Sequence, residues 1–359
     1  MGPTGDAIKV VQIHPTLRCN LRCQHCYSTS GPELAGGLAI EDLERLLGEI
    51  AAEGFNAVSV SGGEPLMYEP LPRLLRSAGA LGLITSVTTN GLLLTHRRLA
   101  ELAPHVGLLA VSVDGEPESH NRLRALPKAF AKMADKLGGV RKAGIPFGVI
   151  FTLTRHNLFE LAWVADFAIA EGAQLLQVHP LESVGRARDY ELTPPDDLEL
   201  AYAFLEVARL QEKYRGQLSI QFDAADRTQV VREPERAYAV PAQAQAIVEG
   251  TPLADLVSPL VVQDDGWIVP IQYGFSRRYA VARMGGDFRA QAAEWRRNSY
   301  ADFLHLTRGV WDDIGDAPAH LPFTNWYAAV TSASVAFGLR DHEEMGQAPR
   351  PGLAPAALD

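Results

Sequence analysis

From residue 8 to about residue 222, short β-branched or apolar runs alternate with longer amphipathic segments. This is the pattern of repeated strand and helix units around a parallel sheet. Seven strands are predicted, at 8–13, 57–60, 84–88, 108–113, 147–152, 175–178 and 218–222, each apolar enough to be covered on both faces. Helices are predicted between them, for example at 39–52 and 127–143; in the first, Leu43, Leu46 and Leu47 recur at helical spacing. Six or so such units curve into a partial (β/α)6-type TIM barrel, and its strand carboxyl ends open at one mouth. Residues that directly follow different strands therefore meet there, however far apart they lie in sequence.

Past about residue 250 the pattern changes. Residues 260–263, the turn Asp264-Asp265-Gly266 and residues 267–271 read as a β-hairpin, since Asp-Gly tolerates the positive φ such a turn requires. Helices are expected near 288–308 and 325–337. The fold class is thus α/β, with a barrel core over 1–225, a C-terminal α+β extension over 226–345, and a tail over 346–359. That tail, rich in Pro, Ala and Gly, buries too little apolar surface to offset the entropy of ordering.

A chain that is 47% hydrophobic and 21% charged can build an ordinary globular core. Its formal charge of -10 repels a phosphate backbone, so nucleic acid is not expected as a partner. Residues Met1 to Asp6 carry no basic start followed by an apolar run, and no later stretch reaches the length of a membrane span, so no membrane partner and a cytoplasmic location are expected. The cysteines change the picture most. All three, Cys19, Cys23 and Cys26, fall within eight residues directly after the first strand, too close together to staple distant segments. Three thiolates at this spacing wrap one face of a cubane iron–sulfur cluster and leave a fourth iron open. A zinc site completed by His14 or His25 is the other metal reading, weakened by the lack of a second ligand pair.

The segment Cys19-Asn20-Leu21-Arg22-Cys23-Gln24-His25-Cys26 resembles the signature of the radical S-adenosylmethionine (radical SAM) superfamily, and Ser61-Gly62-Gly63-Glu64-Pro65 at the second strand's end strengthens the resemblance. It extends from residue 8 to about 190, including Gly185-Arg186-Ala187. The resemblance implies one [4Fe-4S] cluster on Cys19, Cys23 and Cys26, with S-adenosylmethionine (AdoMet) chelating the open iron through its amino and carboxylate groups. It further places His25 beside the adenine and Gly62, Gly63 and Glu64 at the methionine amino group. Thr88, Asn90, Ser112 and Asp114 would line the nucleoside, with Asn157 after the fifth strand. The double glycine, Asn90-Gly91 and Asp114-Gly115 are also common turn formers, and that reading stays open beside the ligand one.

The hairpin through Trp267 to Ile271 resembles the SPASM or twitch extension of peptide-modifying members, in which a cysteine follows the proline. Ile271 fills that place, and no cysteine follows Cys26, so one thiolate-ligated cluster is the limit. The implied chemistry begins with an electron from flavodoxin or ferredoxin. Reductive cleavage of AdoMet then gives methionine and a 5'-deoxyadenosyl radical that abstracts a hydrogen atom from substrate. His179, Glu182, Arg186 and Asp223 follow later strands and are expected to face the mouth, where they contact or deprotonate substrate. Trp267, Tyr273, Phe275 and Tyr279, with Arg277 and Arg278, are candidates to cover it, or else pack a satellite core. With no spare cysteine, a returning hydrogen atom comes from a tyrosine, Tyr273 being the candidate, or from no protein donor. The implied substrate is a peptide in natural-product (RiPP) maturation, the alternative a small molecule such as a sugar or nucleoside. Since the cysteine loop starts at residue 19, a separate precursor-peptide recognition protein is expected beside the enzyme.

Overall fold

The computed structural model describes residues 7–190, 192–232, 250–316 and 323–344, with side chains as far as 336 in the last of these. The sequence readings of residues 1–6 and of the tail 346–359 lie outside the described residues.

Seven strands, β1 (Val10–Ile13), β2 (Ala57–Val60), β3 (Ile84–Thr89), β4 (Leu108–Ser112), β5 (Phe147–Leu153), β6 (Leu175–Pro180) and β7 (Ser219–Phe222), pair in parallel in chain order. A short strand β8 (Ala225–Asp226) stands apart and pairs with β12 (Phe323–Thr324). The hairpin strands β9 (Leu260–Val262) and β10 (Trp267–Pro270), then β11 (Ala282–Arg283), continue the main sheet on the other side of β1. β9 runs parallel to β1, with Val11 opposite Leu260 and Ile13 opposite Val262, and β10 is antiparallel to β9. The ten strands form an open, linear order from β11 to β7, a partial barrel whose sheet does not close.

One face of this sheet is apolar because helices lie on it. Val11, Ile13, Val58, Val60, Val87, Leu109, Val111, Val149, Phe151, Leu176 and Val178 are buried there. The covering helices are amphipathic; Ile40–Ala52, for example, turns Leu43, Leu46, Leu47 and Ile50 inward. Each such side chain contributes about 1.5–3 kcal/mol on burial. The inner face departs from the expectation of strands apolar on both sides. Gln12, Ser59, Ser86, Thr88, Thr152, Gln177 and His179 occupy the alternate positions and are half-buried. Register aligns them, Gln12 with Ser59 and Ser86, Gln177 with Gln221, and Thr152 with His179. The physical reason is the two-residue alternation of a strand, which turns one set of side chains into the core and leaves the alternate set half-buried on the other face.

The helical region expected near 288–308 consists of two helices, Phe288–Asn298 and Tyr300–Asp316, and the final one spans Trp326–Glu344. Among the described residues no helix is long and apolar enough to cross a membrane.

Candidate active site at the sheet mouth

The chain leaving β1 crosses the mouth as the cysteine loop, which has almost no regular structure and is held by its neighbours. Cys19 N–H donates to Gly31 O (3.1 Å) and Gln24 N–H to Leu123 O (2.8 Å). On one side the loop rests on Gly62 and Gly63. A Cβ at Gly63 would stand 2.4 Å from Arg18 O, and one at Gly62, where φ is +110, would stand 2.8 Å from Thr16 O. Gly63 N–H donates to Thr16 O and Glu64 N–H to Arg18 O, so the backbone approach these glycines permit is to the loop itself. On the other side Gly185, at φ +56, has no room for a Cβ against the carbonyls of Cys26 and Tyr27. The next residue, Arg186, donates from Nε to Cys23 O (2.9 Å) and from Nη2 to Ser30 O (2.7 Å), so its guanidinium is committed to the loop.

The three cysteines are free thiols, Cys19 and Cys23 buried and Cys26 half-buried. Burial pushes the Cys19 thiol up to about 12. Cys23 is pushed up as well, against the pull of Arg124, whose Nη1 lies 3.8 Å from its sulfur. Three thiolates in this place therefore need a cationic partner to exist together. Among the described residues no three His, Cys, Asp or Glu side chains are placed to hold a single metal ion.

Glu64 is 1% exposed. Its carboxylate accepts from Leu66 N–H (3.1 Å), Thr89 Oγ1 (2.7 Å) and Asn90 N–H (2.9 Å). Burial raises its carboxyl above the ordinary value although these donors oppose it. Asn90 in turn donates from Nδ2 to Asn20 Oδ1 (2.8 Å), linking the end of β3 to the cysteine loop. Thr88 stands on the half-buried inner face, and Ser112 is buried at the end of β4. Asp114, fully buried, accepts from Arg124 Nε (2.5 Å) and Thr152 N–H (3.3 Å), with His25 Nε2 at 3.7 Å. Burial alone would raise its carboxyl, but the Arg124 charge outweighs that and holds it well below the carboxylate range. Burial also lowers His25 to about 4. Asn157, 0% exposed, accepts from Thr154 N–H and donates to Asp114 O and Thr152 O, pinning the β5 loop to the β4 loop.

Over β6 and β7 a second group gathers. His179 Nδ1 lies 3.0 Å from Asp223 Oδ2, which also accepts from Gln177 Nε2 (2.9 Å). Desolvation opposes the charged imidazole, but Asp223 and Glu182 outweigh it and raise His179 above its ordinary value. Glu182 Oε2 accepts from Gln272 Nε2 (2.7 Å), a residue of the segment after β10. That segment begins at Ile271 with φ +67, a left-handed conformation costly for a β-branched residue. Tyr273 follows, its hydroxyl donating to Asp264 Oδ1 (2.8 Å) and its ring stacked on His14 (4.7 Å) and edge-on to Tyr27 (5.6 Å). Burial and the Asp264 charge raise its phenol. His14 is fully buried, lowered by burial to about 3, and neither ring nitrogen has a hydrogen-bond partner.

The sequence-predicted residues thus assemble at one rim. Phe275 and Tyr279 instead sit in the main core, where Phe275 packs on Tyr279 and Phe303, while Trp267 lies beneath Arg277 and Arg283. Arg124, Tyr27 and Gln272 were not singled out as site residues from sequence, and His14 was named only as a zinc-ligand alternative. An aromatic beside Cys26 was the available signal; Arg124 had none, since helical spacing alone does not say which buried carboxylate an arginine meets.

Residues 13–168 match the model of the radical SAM superfamily. The chain is 32% identical over 197 residues to the AdoMet-dependent heme synthase of Methanosarcina barkeri (strain Fusaro / DSM 804), covering 54% of this chain and 56% of that protein. It is 31% identical over 223 residues to the PqqA peptide cyclase of Rhodopseudomonas palustris (strain ATCC BAA-98 / CGA009), covering 60% and 58%. The chain therefore spans a little over half the length of these curated relatives. In fold it is similar to Streptococcus suis SuiB bound to S-adenosylmethionine, with a TM-score of 0.62 at 16% identity over 83% of this chain and 68% of that one.

Proposed function

Since the chain carries a radical SAM superfamily domain over residues 13–168, and that family implies an iron–sulfur cluster and AdoMet, we propose an enzyme that abstracts a hydrogen atom from a peptide during natural-product maturation. The observation that carries the reading is the loop of three free thiols, clamped across the sheet mouth between Gly62-Gly63 and Gly185-Arg186. Cys19, Cys23 and Cys26 would hold a [4Fe-4S] cluster, whose iron charge offsets the cost of burying three thiolates. Bound together, the cluster and AdoMet supply a primary alkyl radical on reduction by a flavodoxin- or ferredoxin-type donor.

The chain's own residues orient and shield. Glu64 and Asn90 fix the β2 and β3 ends against the loop, where they would support the methionine part of AdoMet, and Asp114, Arg124 and Asn157 hold the β4 and β5 ends rigid, where they would support its nucleoside. Rigid support of this kind keeps one C–H bond within reach and excludes water. His179, Glu182 and Asp223 face the substrate, and Gln272 with Tyr273 screens the mouth from the hairpin side. The peptide assignment leans on similarity to a peptide cyclase. Similarity to a heme synthase favours a small-molecule substrate as the second reading.

Anaerobic reconstitution with iron and sulfide, then AdoMet and dithionite, tests the proposal. Visible cluster absorption and 5'-deoxyadenosine are expected from the intact chain and neither from Cys23→Ala. Full adenosine formation by that variant refutes the reading.

A further inference from the structure

Most polar groups of the mouth are spent on one another; besides ring nitrogens of His14 and His25, two buried oxygens are not. Glu182 Oε1 and Gln272 Oε1 have no hydrogen-bond partner. Both belong to one pair, because Gln272 Nε2 donates to the other oxygen of the same carboxylate at 2.7 Å. This contact also fixes the amide's orientation: turned over, its oxygen would face a carboxylate oxygen. The carbonyl is therefore left bare by construction. A third atom lies beside them, His179 Nε2, 3.7 Å from Glu182 Oε1, too far for a hydrogen bond and close enough to share a ligand. In the neutral ring the Asp223 contact puts the proton on Nδ1 and leaves Nε2 to accept, although the same carboxylates favour the charged ring.

Two bare acceptors and the Nε2 edge of His179 lie together, and a group with several donors would satisfy all three once it displaces the ring proton. Nearby cations are committed elsewhere, Arg186 to the carbonyls of Cys23 and Ser30 and Arg124 to Asp114. A buried acceptor left bare costs about 1–3 kcal/mol, a penalty a ligand removes on binding. The placement of Gln272 is not incidental, since the chain adopts a left-handed conformation at Ile271 immediately before it, and Tyr273 immediately after it is fixed on His14 and Asp264.

We propose that Glu182, Gln272 and His179 form a recognition site for a primary ammonium group of the substrate, such as a lysine side chain or a free amino terminus. An ammonium offers three N–H donors and a positive charge, matching one carboxylate, one amide carbonyl and one imidazole nitrogen. Glu182 and Gln272 are positioning residues here, and the inference rests on the reading above only in taking the mouth as the substrate site.

The test is a titration of the histidine-labelled full chain with N-acetyl-lysine methylamide, followed by NMR of the His179 ring. N-acetyl-norleucine methylamide serves as the control of equal shape without charge. The lysine probe is expected to shift the His179 signal saturably and, by competing with the ring proton, to lower its titration midpoint; the norleucine probe does neither. Glu182→Gln is expected to weaken binding about tenfold or more, as loss of a charged hydrogen bond does. Gln272→Leu, which removes a neutral acceptor, weakens it less, and unchanged signals elsewhere in either variant report an intact fold. Equal response to both probes, no response to either, or undiminished affinity in Glu182→Gln overturns the proposal. So does loss of the response in saturating AdoMet, which assigns the acceptors to the cofactor. Iron content and adenosine formation by the unsubstituted chain are read separately, so failure of the ammonium site and failure of the radical reading are distinct results.

Discussion

The rim over β2 to β5 and the rim over β6, β7 and the hairpin are built on opposite terms. In the first, Glu64, Asp114 and Asn157 are almost wholly buried and each is met by several hydrogen bonds, mostly from backbone groups of neighbouring loops. In the second, Glu182, Gln272 and His14 keep buried polar atoms with no partner at all. A saturated network defines one rigid geometry, whereas bare acceptors are tolerated where a ligand arrives to satisfy them. On the proposed function the contrast separates a half that would support the cofactor, where His25 Nδ1 is the exception, from a half that would receive the substrate.

The comparison breaks most readily at Asp114. Asp114→Ala leaves Arg124 buried without its carboxylate and is expected to cost about 3–5 kcal/mol in urea unfolding; a loss under about 1 kcal/mol would mean the pair is not rigidly desolvated. Asn157→Ala removes the amide joining the β4 and β5 loops and is expected to cost about 2 kcal/mol by the same measurement. Gln272→Ala on the other rim should cost less, about 1 kcal/mol, because the hydrogen bond to Glu182 that it removes is offset by the carbonyl it no longer leaves bare. A cost matching that of Asn157→Ala would erase the distinction between the halves.

The subtlest expected difference lies in the pH dependence of two histidines. Burial lowers His14 from 6.5 to about 3 in the folded chain. Its contribution to stability is present above 6.5 and is lost as pH falls from there toward 3, because the unfolded chain takes up the proton first. His179 is raised above 6.5, so its contribution is present below 6.5 and is lost as pH rises through its folded value. Melting temperature against pH is expected to flatten on the acid side in His14→Phe and on the alkaline side in His179→Gln. Matching profiles for the two variants would contradict the assigned environments.

Much of this architecture was legible in the residues. The seven strands of the barrel stand within two residues of their predicted ends, because each is an apolar run bounded by turn formers. The cysteine loop, the glycine pair and the strand-end residues were legible too, since the parallel topology alone carries them to one rim. The polar inner face was harder, for Ser59 within Ala-Val-Ser-Val and Gln177 within Leu-Leu-Gln-Val interrupt apolar runs too briefly to reveal an alternation. The joining of β9 to β1 was not readable, because nothing in three apolar residues names the strand they will pair with. Arg124 escaped, and the packing of His14 against Tyr273 went unread, for a related reason: both depend on what packs beside them, from helix and hairpin, and not on local spacing.

The pairing of β9 with β1 also has a consequence for biosynthesis. β1 leaves the ribosome well before β9, yet its outer row of amide and carbonyl groups is matched by the far later residues of that strand. Until those residues emerge, β1 is a raw strand edge able to template pairing between nascent copies. A fragment ended at residue 225 would keep that edge permanently open, so its expected fate is aggregation, and co-expression with the missing C-terminal piece should restore solubility.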